Sequence, residues 1–268
     1  MSNCRLYGKP PFKVALIHGG PGDPGSLKEL AELLSSDFGI LEPIQTADSV
    51  DGQIEELKVT LDQYADLPII LIGHSWGAML GYLFTAKYPT YIQKLIMVGS
   101  GLFDVKYAEN IMATSLSRLS KEKQAVLNEL MIKLDDDCND SDDLFRKFGN
   151  ILKEAESFDP IQLKPGEVMK GQSRIFNKVW PEAAKMRETG ELLTVGKKIN
   201  CPVIAIHGDY DPHPYQGVQI PLSTVLKDFT FVLLNNCGHE PWNERQAKDE
   251  FINLLRIELQ NFILKNSR

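Results

Sequence analysis

Cysteine is scarce in this chain. Cys4, Cys138, Cys201 and Cys237 are the only four in 268 residues, and no C-x-x-C pair occurs. That spacing excludes a disulfide framework and a thiolate metal knuckle; it leaves free thiols suited to a reducing compartment, so a cytoplasmic protein is expected. Long apolar runs are missing too. Stretches such as residues 14–17 and 69–72 are far too short to span a bilayer, so no membrane partner is expected. Residues 1–12 are polar, with Cys4, Arg5 and Lys9, and lack the apolar centre of a signal peptide. No stripe of Lys or Arg stands out, and the net charge of −7 comes from interspersed residues of both signs, which argues against nucleic acid. No G-K-[ST] ending follows the glycines, so they are not expected to cradle a phosphate. The length of 268 residues suffices for one sizeable core, or one core with an appended subdomain.

What is present is concentrated in residues 68–88, PIILIGHSWGAMLGYLFTAKY. Residues 69–72 form a buried apolar run, and an apolar helical stretch follows the G-H-S-W-G at 73–77. Glycine on both sides of the serine has a steric reading: Ser75 sits at the apex of a sharp strand-to-helix turn where side chains would collide with strand and helix. Such a turn holds Oγ clear of the sheet and aims the N–H of Trp76, at the helix start, toward charge forming on a substrate. Ser75 is therefore the expected nucleophile. Residues 13–17 (KVALI) form a strand running into His18-Gly19-Gly20-Pro21-Gly22, and the N–H of Gly20 is the expected second oxyanion donor.

Strands expected at 38–43 (weak) and 94–98 alternate with helices at 26–36, capped by Ser26, and at 51–65. This rhythm implies a mostly parallel central sheet with helices on both faces, and it places Ser75 at the carboxyl edge. Residues 102–198 break the rhythm with helical patterns at 120–134, 141–156 and 166–188 and no convincing strand. They are expected to form an inserted helical lid over a core of residues 1–101 and 199–268. Asp135, Asp136, Asp137, Asn139, Asp140, Asp142 and Asp143 suggest calcium, but lack the spaced glycine and terminal glutamate of an EF-hand loop; a solvated turn is expected instead. Met169 and Trp180 suit either a pocket lining or lid packing.

The β pattern resumes at 201–206 and 229–234, with a short helix near 222–226 between them and a terminal helix at about 243–264. The first of these strands delivers Asp209, Asp211 and His213; the second delivers Cys237-Gly238-His239. The order Ser75, Asp211, His239 is that of a nucleophile after a middle strand with acid and base after the last two. The imidazole of His239 would take the proton of Ser75 Oγ, and a buried carboxylate on its other nitrogen would fix the tautomer and stabilise the imidazolium. Asp211 lies further out on its loop and precedes Pro212, which favours it as the acid over Asp209, two residues away. Of the other histidines, His18 and His74 are held in tight turns, His207 is expected behind the acid, and His213 lies too near Asp211 to come from an independent loop. A metal set of His207, Asp209, Asp211 and His213 is disfavoured by Pro212 and Pro214, and no metal or cofactor is expected.

HGGPG at 18–22, GHSWGA at 73–78, GDYDPHP at 208–214 and CGHEPW at 237–242 together resemble the α/β-hydrolase superfamily, and most closely its proline iminopeptidase branch. The resemblance covers nearly the whole chain, the lid least. It implies the α/β-hydrolase fold, Ser75, Asp211 and His239 as catalytic residues, and Gly20 and Trp76 as oxyanion donors. It further implies an aminopeptidase that releases N-terminal residues from short peptides, with lid glutamates gripping the free amine; Glu154, Glu156, Glu167 and Glu182 are all available for that role. Two departures bear on it. The leading antiparallel hairpin is missing or reduced, and residues 42–52 (EPIQTADSVDG) lack the family's D-x-R-G-x-G-x-S. A carboxylesterase for small acyl esters is the alternative, followed by a C–C hydrolase or lyase; a non-enzymatic binder is argued against by the complete triad.

Overall fold

The computed structural model describes residues 3–134, 141–161 and 172–265. Among the described residues seven strands build one sheet: β1 (Cys4–Tyr7), β2 (Phe12–Ile17), β3 (Gly39–Pro43), β4 (Ile69–His74), β5 (Ile92–Val98), β6 (Val203–Gly208) and β7 (Phe229–Leu234). Their spatial order is β1-β3-β2-β4-β5-β6-β7. Every pairing is parallel except that of β1 with β3. The expected mostly parallel α/β-hydrolase sheet is thus present, and the reduced N-terminal hairpin is a single antiparallel edge strand.

The central strands read as continuous apolar runs because both faces of the sheet are covered. In β4, Ile69 and Leu71 join one core cluster while Ile70 and Ile72 join the other. The first face carries α2 (Val50–Tyr64), α3 (Trp76–Lys87) and α9 (Gln216–Val225); the second carries α1 (Lys28–Leu34) and α10 (Lys248–Lys265). Fully burying one such Ile or Leu is worth about 1.5–3 kcal/mol. The chain winds from β2 outward to β3, then returns across to β4, so the winding reverses between β2 and β4. At such a switch point the carboxyl ends of neighbouring strands splay into a crevice. The HGGPG loop leaves β2 and Ser75 leaves β4 at this place.

Two local expectations need correction, and one strand is stronger than its sequence signal. Ser26 does not cap α1: the helix starts at Lys28, with Leu27 at the cap position and no side-chain cap. Turns through Ser26 N–H to Asp23 O and Lys28 N–H to Gly25 O consume the residues before it. Strand β3, weak in the sequence, is buried along its whole length. Its signal is masked by Glu42, which lies inside the protein and accepts a 2.7 Å hydrogen bond from Tyr7 Oη. The helix expected near 222–226 is α9, which starts earlier and accommodates Pro221 within it.

The segment between β5 and β6, expected to be an insertion, holds α4 (Ile111–Ser117), α5 (Lys121–Leu134), α6 (Asp142–Glu156), α7 (Ser173–Glu188) and α8 (Glu191–Thr194) among the described residues. Among its described residues the one β-type contact is an isolated bridge between Pro160 and Glu244. Its two halves pack differently. Ile175, Val179, Ala183 and Leu192 join the main core, whereas Leu119, Leu127 and Ala155 form a small separate cluster with side chains of α4 and α6. Trp180 stacks on Phe176 with ring centroids 5.9 Å apart and packs, partly buried, against the main core. Asp142 caps α7 by accepting from Ser173 N and Oγ at 3.1 and 3.0 Å. Residues 135–140, and with them most of the acidic run and Cys138, lie outside the described residues, as do Glu167 and Met169.

Because the core beneath α4–α6 is so small, amide exchange is expected to be faster throughout α4–α6 than in β4 and β5. Exchange in α4–α6 as slow as in β4 would contradict this division.

Candidate active site

Ser75 joins β4 to α3 with φ 53° and ψ −115°. A residue with a Cβ held in such a region costs about 1–3 kcal/mol, which its surroundings must impose. They do so from three sides. The Ser75 N–H donates to Val98 O of β5 at 2.9 Å, and the N–H of Ala78 donates to Ser75 O at 3.1 Å. A Cβ on Gly73 would lie 2.1 Å from Gly77 O, and one on Gly77 would lie 2.1 Å from Ile17 O. The helix therefore starts in contact with its own strand and with the end of β2, and both glycines are steric requirements.

Gly19 backs onto this turn, so that a Cβ there would meet Ser75 Cβ at 3.3 Å. The next residue, Gly20, is the expected oxyanion donor. Among the described residues neither Gly20 N–H nor Trp76 N–H donates to a protein acceptor. Trp76 is also the first residue of α3, where backbone N–H groups carry the positive end of the helix dipole. Its ring is fixed by a 2.8 Å hydrogen bond from Nε1 to Gln53 Oε1 of α2.

The residues expected as acid and base lie in contact. His239 Nδ1 donates to Asp211 Oδ2 at 2.6 Å, and both residues are buried. Asp211 Oδ1 accepts from His213 N and Nδ1, each at 2.9 Å. His207 Nε2 lies 3.3 Å from Asp211 Oδ2 and donates to His213 O at 2.9 Å, so His207 packs behind the acid. Asp209 is exposed and accepts from Cys237 N at 3.1 Å, which ties the acid loop to the base loop. Asp211 rather than Asp209 thus faces His239. Asp211, His213 and His239 also present ligand atoms within 4.8 Å of one another, although these atoms already hydrogen-bond among themselves.

Burial alone would raise the pKa of Asp211, but His239, His207 and His213 outweigh it and hold the carboxyl well below the usual range. Burial likewise pushes His239 down, and the Asp211 carboxylate overcomes this, raising the imidazole from 6.5 to about 9. His74 is kept neutral by burial and by the neighbouring His239. Its Nε2–H donates to His239 O at 3.1 Å, and the two rings lie 4.7 Å apart. The residue before Ser75 therefore supports the backbone of the base.

Sequence reasoning missed three contacts. His74 was visible as a constrained histidine, but its partner is a backbone carbonyl that no motif specifies. Lys153 of α6 reaches Asp23, just past the HGGPG loop, at 3.3 Å and Glu240, beside the base, at 3.1 Å. Glu244 is buried near the start of the terminal helical segment and holds three backbone N–H groups. Neither residue could be told from surface charge by its spacing.

A family model described as "Serine aminopeptidase, S33" matches residues 45–246. Proline iminopeptidase of Saccharolobus solfataricus is 24% identical over 287 aligned residues, covering 91% of this chain and 83% of that protein. Proline iminopeptidase of Lactobacillus crispatus is 24% identical over 284, covering 91% and 88%. Among solved structures, VinJ superposes with a TM-score of 0.68 at 17% identity, covering 96% of this chain and 94% of that one. Proline iminopeptidase of Mycobacterium smegmatis superposes with a TM-score of 0.63 at 14% identity, covering 98% and 95%. At these identities the structural likenesses show the fold.

A base must be neutral to accept a proton, and Asp211 holds His239 charged up to about pH 9. The value of kcat/KM should therefore rise with pH through neutrality, with its midpoint well above 6.5. The contribution of the raised His239 pKa to folding has the opposite sense: it is complete below 6.5, while Asp211 stays ionised, and lost as pH rises through about 9. Asp211→Asn should shift the kinetic limb downward and slow turnover by about 10³–10⁴-fold. A wild-type midpoint at or below 6.5, or a limb unmoved in Asp211→Asn, would contradict the pairing.

Proposed function

The chain belongs to the serine aminopeptidase S33 family of the α/β-hydrolase superfamily, and on that premise we propose that it is an aminopeptidase releasing N-terminal residues, proline by preference, from short peptides. The observation that carries the chemistry is the buried Asp211–His239 pair on the loops beside a strained Ser75 turn. Ser75 Oγ attacks the carbonyl carbon as its proton passes to His239 Nε2, and the resulting oxyanion is held by the N–H groups of Gly20 and Trp76. His239 returns the proton to the leaving amine as the C–N bond breaks. Water, deprotonated by the same imidazole, then hydrolyses the acyl-enzyme. The sequence likeness to proline iminopeptidases over most of both chains supports the substrate class.

The charges around the base support recognition of a free amine. An ammonium entering a closed site needs a carboxylate, or its desolvation opposes binding. Of the three candidate glutamates among the described residues, Glu154 pairs with Lys123, and Glu182 accepts from Val50 N at 2.8 Å at the start of α2. Glu156 ends α6 beside His239, and its charge acts on that imidazole. Glu156 is accordingly the lid glutamate assigned to the amine.

The test compares a prolyl-arylamide, its N-acetylated form and a short-chain aryl ester on one preparation. The prolyl-arylamide should be cleaved and its acetylated form spared. Glu156→Gln should raise KM for the free amine by about tenfold, in line with losing one partly desolvated charge pair, while leaving KM for the neutral ester unchanged. Rapid ester turnover with neither amide cleaved would replace the aminopeptidase with a carboxylesterase.

A further inference from the structure

The loop that carries His239 is bound to the insertion. His239 N–H donates to Glu156 O at 3.0 Å, Ile161 N–H to Asn243 O at 2.8 Å, and Arg245 N–H to Asp159 O at 2.9 Å. Residues 156–161, which leave α6, thus run as a strap along residues 238–245. Between the two lies the carboxylate of Glu244, 1% exposed. Its Oε1 accepts from Phe158 N at 2.8 Å and from Gly238 N at 3.0 Å, and its Oε2 accepts from Asp159 N at 2.7 Å. One buried carboxylate therefore satisfies two N–H groups of the strap and the N–H immediately before the base. Gly238 permits the contact: a Cβ there would lie 2.1 Å from Glu156 O and 2.4 Å from Glu244 Oε1.

We propose that Glu244 is a positioning residue for His239, clipping the strap at 156–161 to the base loop so that the imidazole is in register with Asp211 and Ser75 only while the strap is seated. The physical reason is the division of supports. The His239 ring is held by Asp211 from the core, whereas the His239 N–H and the Gly238 N–H are held by the strap and by Glu244. Without the clip, the buried Gly238 N–H and the part-buried N–H groups of Phe158 and Asp159 lose their acceptor, and the strap and loop separate to find water. His239 then moves relative to Ser75 even though neither catalytic group has changed. Glu244 touches no reacting atom in this scheme. It acts through the backbone of residues 238 and 239, and it makes the base answer to the seating of the insertion.

The proposal rests on His239 being the base, and the test separates the two. Covalent inactivation by a fluorophosphonate is followed across pH in wild type, His239→Ala, Glu244→Ala, Glu244→Gln and Gly238→Ala, with rates normalised to folded protein by circular dichroism. Glu244→Ala should slow labelling by about 10²-fold, the scale of a 1 Å misplacement of a catalytic group. It should also move the acid limb toward the ordinary imidazole range as the Asp211 contact loosens. Glu244→Gln keeps an acceptor for Gly238 and Phe158 but opposes an NH₂ to the Asp159 N–H, so it should fall between. Gly238→Ala pushes the strap away from the other side and should reproduce both changes, which keeps the proposal open to refutation if Glu244→Ala does not fold. Lower melting temperatures with unchanged labelling rate and unchanged limb in the folded variants would make Glu244 merely structural and overturn the proposal. Labelling of His239→Ala as fast as wild type would remove the base assignment, and the proposal with it.

Discussion

The contact on which the site depends is the close approach of α3 to the ends of β2 and β4. It leaves no room for a Cβ at Gly73 or Gly77, and it holds Ser75 at φ 53°. Strain of this kind persists only where several elements fix the same residue, and here three strands do so. β4 leads into the turn, β5 accepts the Ser75 N–H through Val98 O, and β2 presents Ile17 O against Gly77. The sheet order places those strands side by side at the point where the winding reverses. The serine is thus a consequence of topology before it is a matter of side-chain chemistry.

The charge pattern follows from burial around that point. Asp211 stays ionised inside the protein because three imidazoles surround it, and His239 stays basic because Asp211 is there. His74 and His207, equally buried, are held neutral and serve as hydrogen-bond donors to backbone carbonyls. His74, His207, His213 and His239 thus divide into one candidate base and three supporting groups, a division set by what each ring faces. Lys153 adds a cation of α6 between Asp23 and Glu240, so the insertion is joined to both loops that flank the nucleophile.

Much of this was legible in the sequence. The strand at 229–234 falls where its apolar run lies, and the glycines of the GHSWG turn have the steric cause their spacing implied. Asp211 and His239 come together across 28 positions because motif order reflects strand order, and strand order is what the fold conserves in space. What was not legible has specific causes. β3 was legible only as a weak strand because of Glu42, a charge paired with Arg5 and Tyr7 from a strand too short to announce itself. Ser26 resembled a helix cap, but Gly25 at φ +83 inserts a turn that delays the helix. The double attachment of the insertion, to the core through α7 and to the base loop through residues 156–161, depends on long-range contacts that no local period records. Hydrogen bonds such as those of Glu244 use backbone partners, which carry no residue signature.

The central claim is that the strained turn at Ser75 presents the nucleophile, and peptide mapping of a fluorophosphonate adduct tests it most directly. Labelled protein, digested and analysed by mass spectrometry, should carry the phosphonyl group on the Ser75 peptide alone, with Ser75→Ala unlabelled under the same conditions. An adduct on another residue, or Ser75→Ala labelled to the same extent as wild type, would contradict the account.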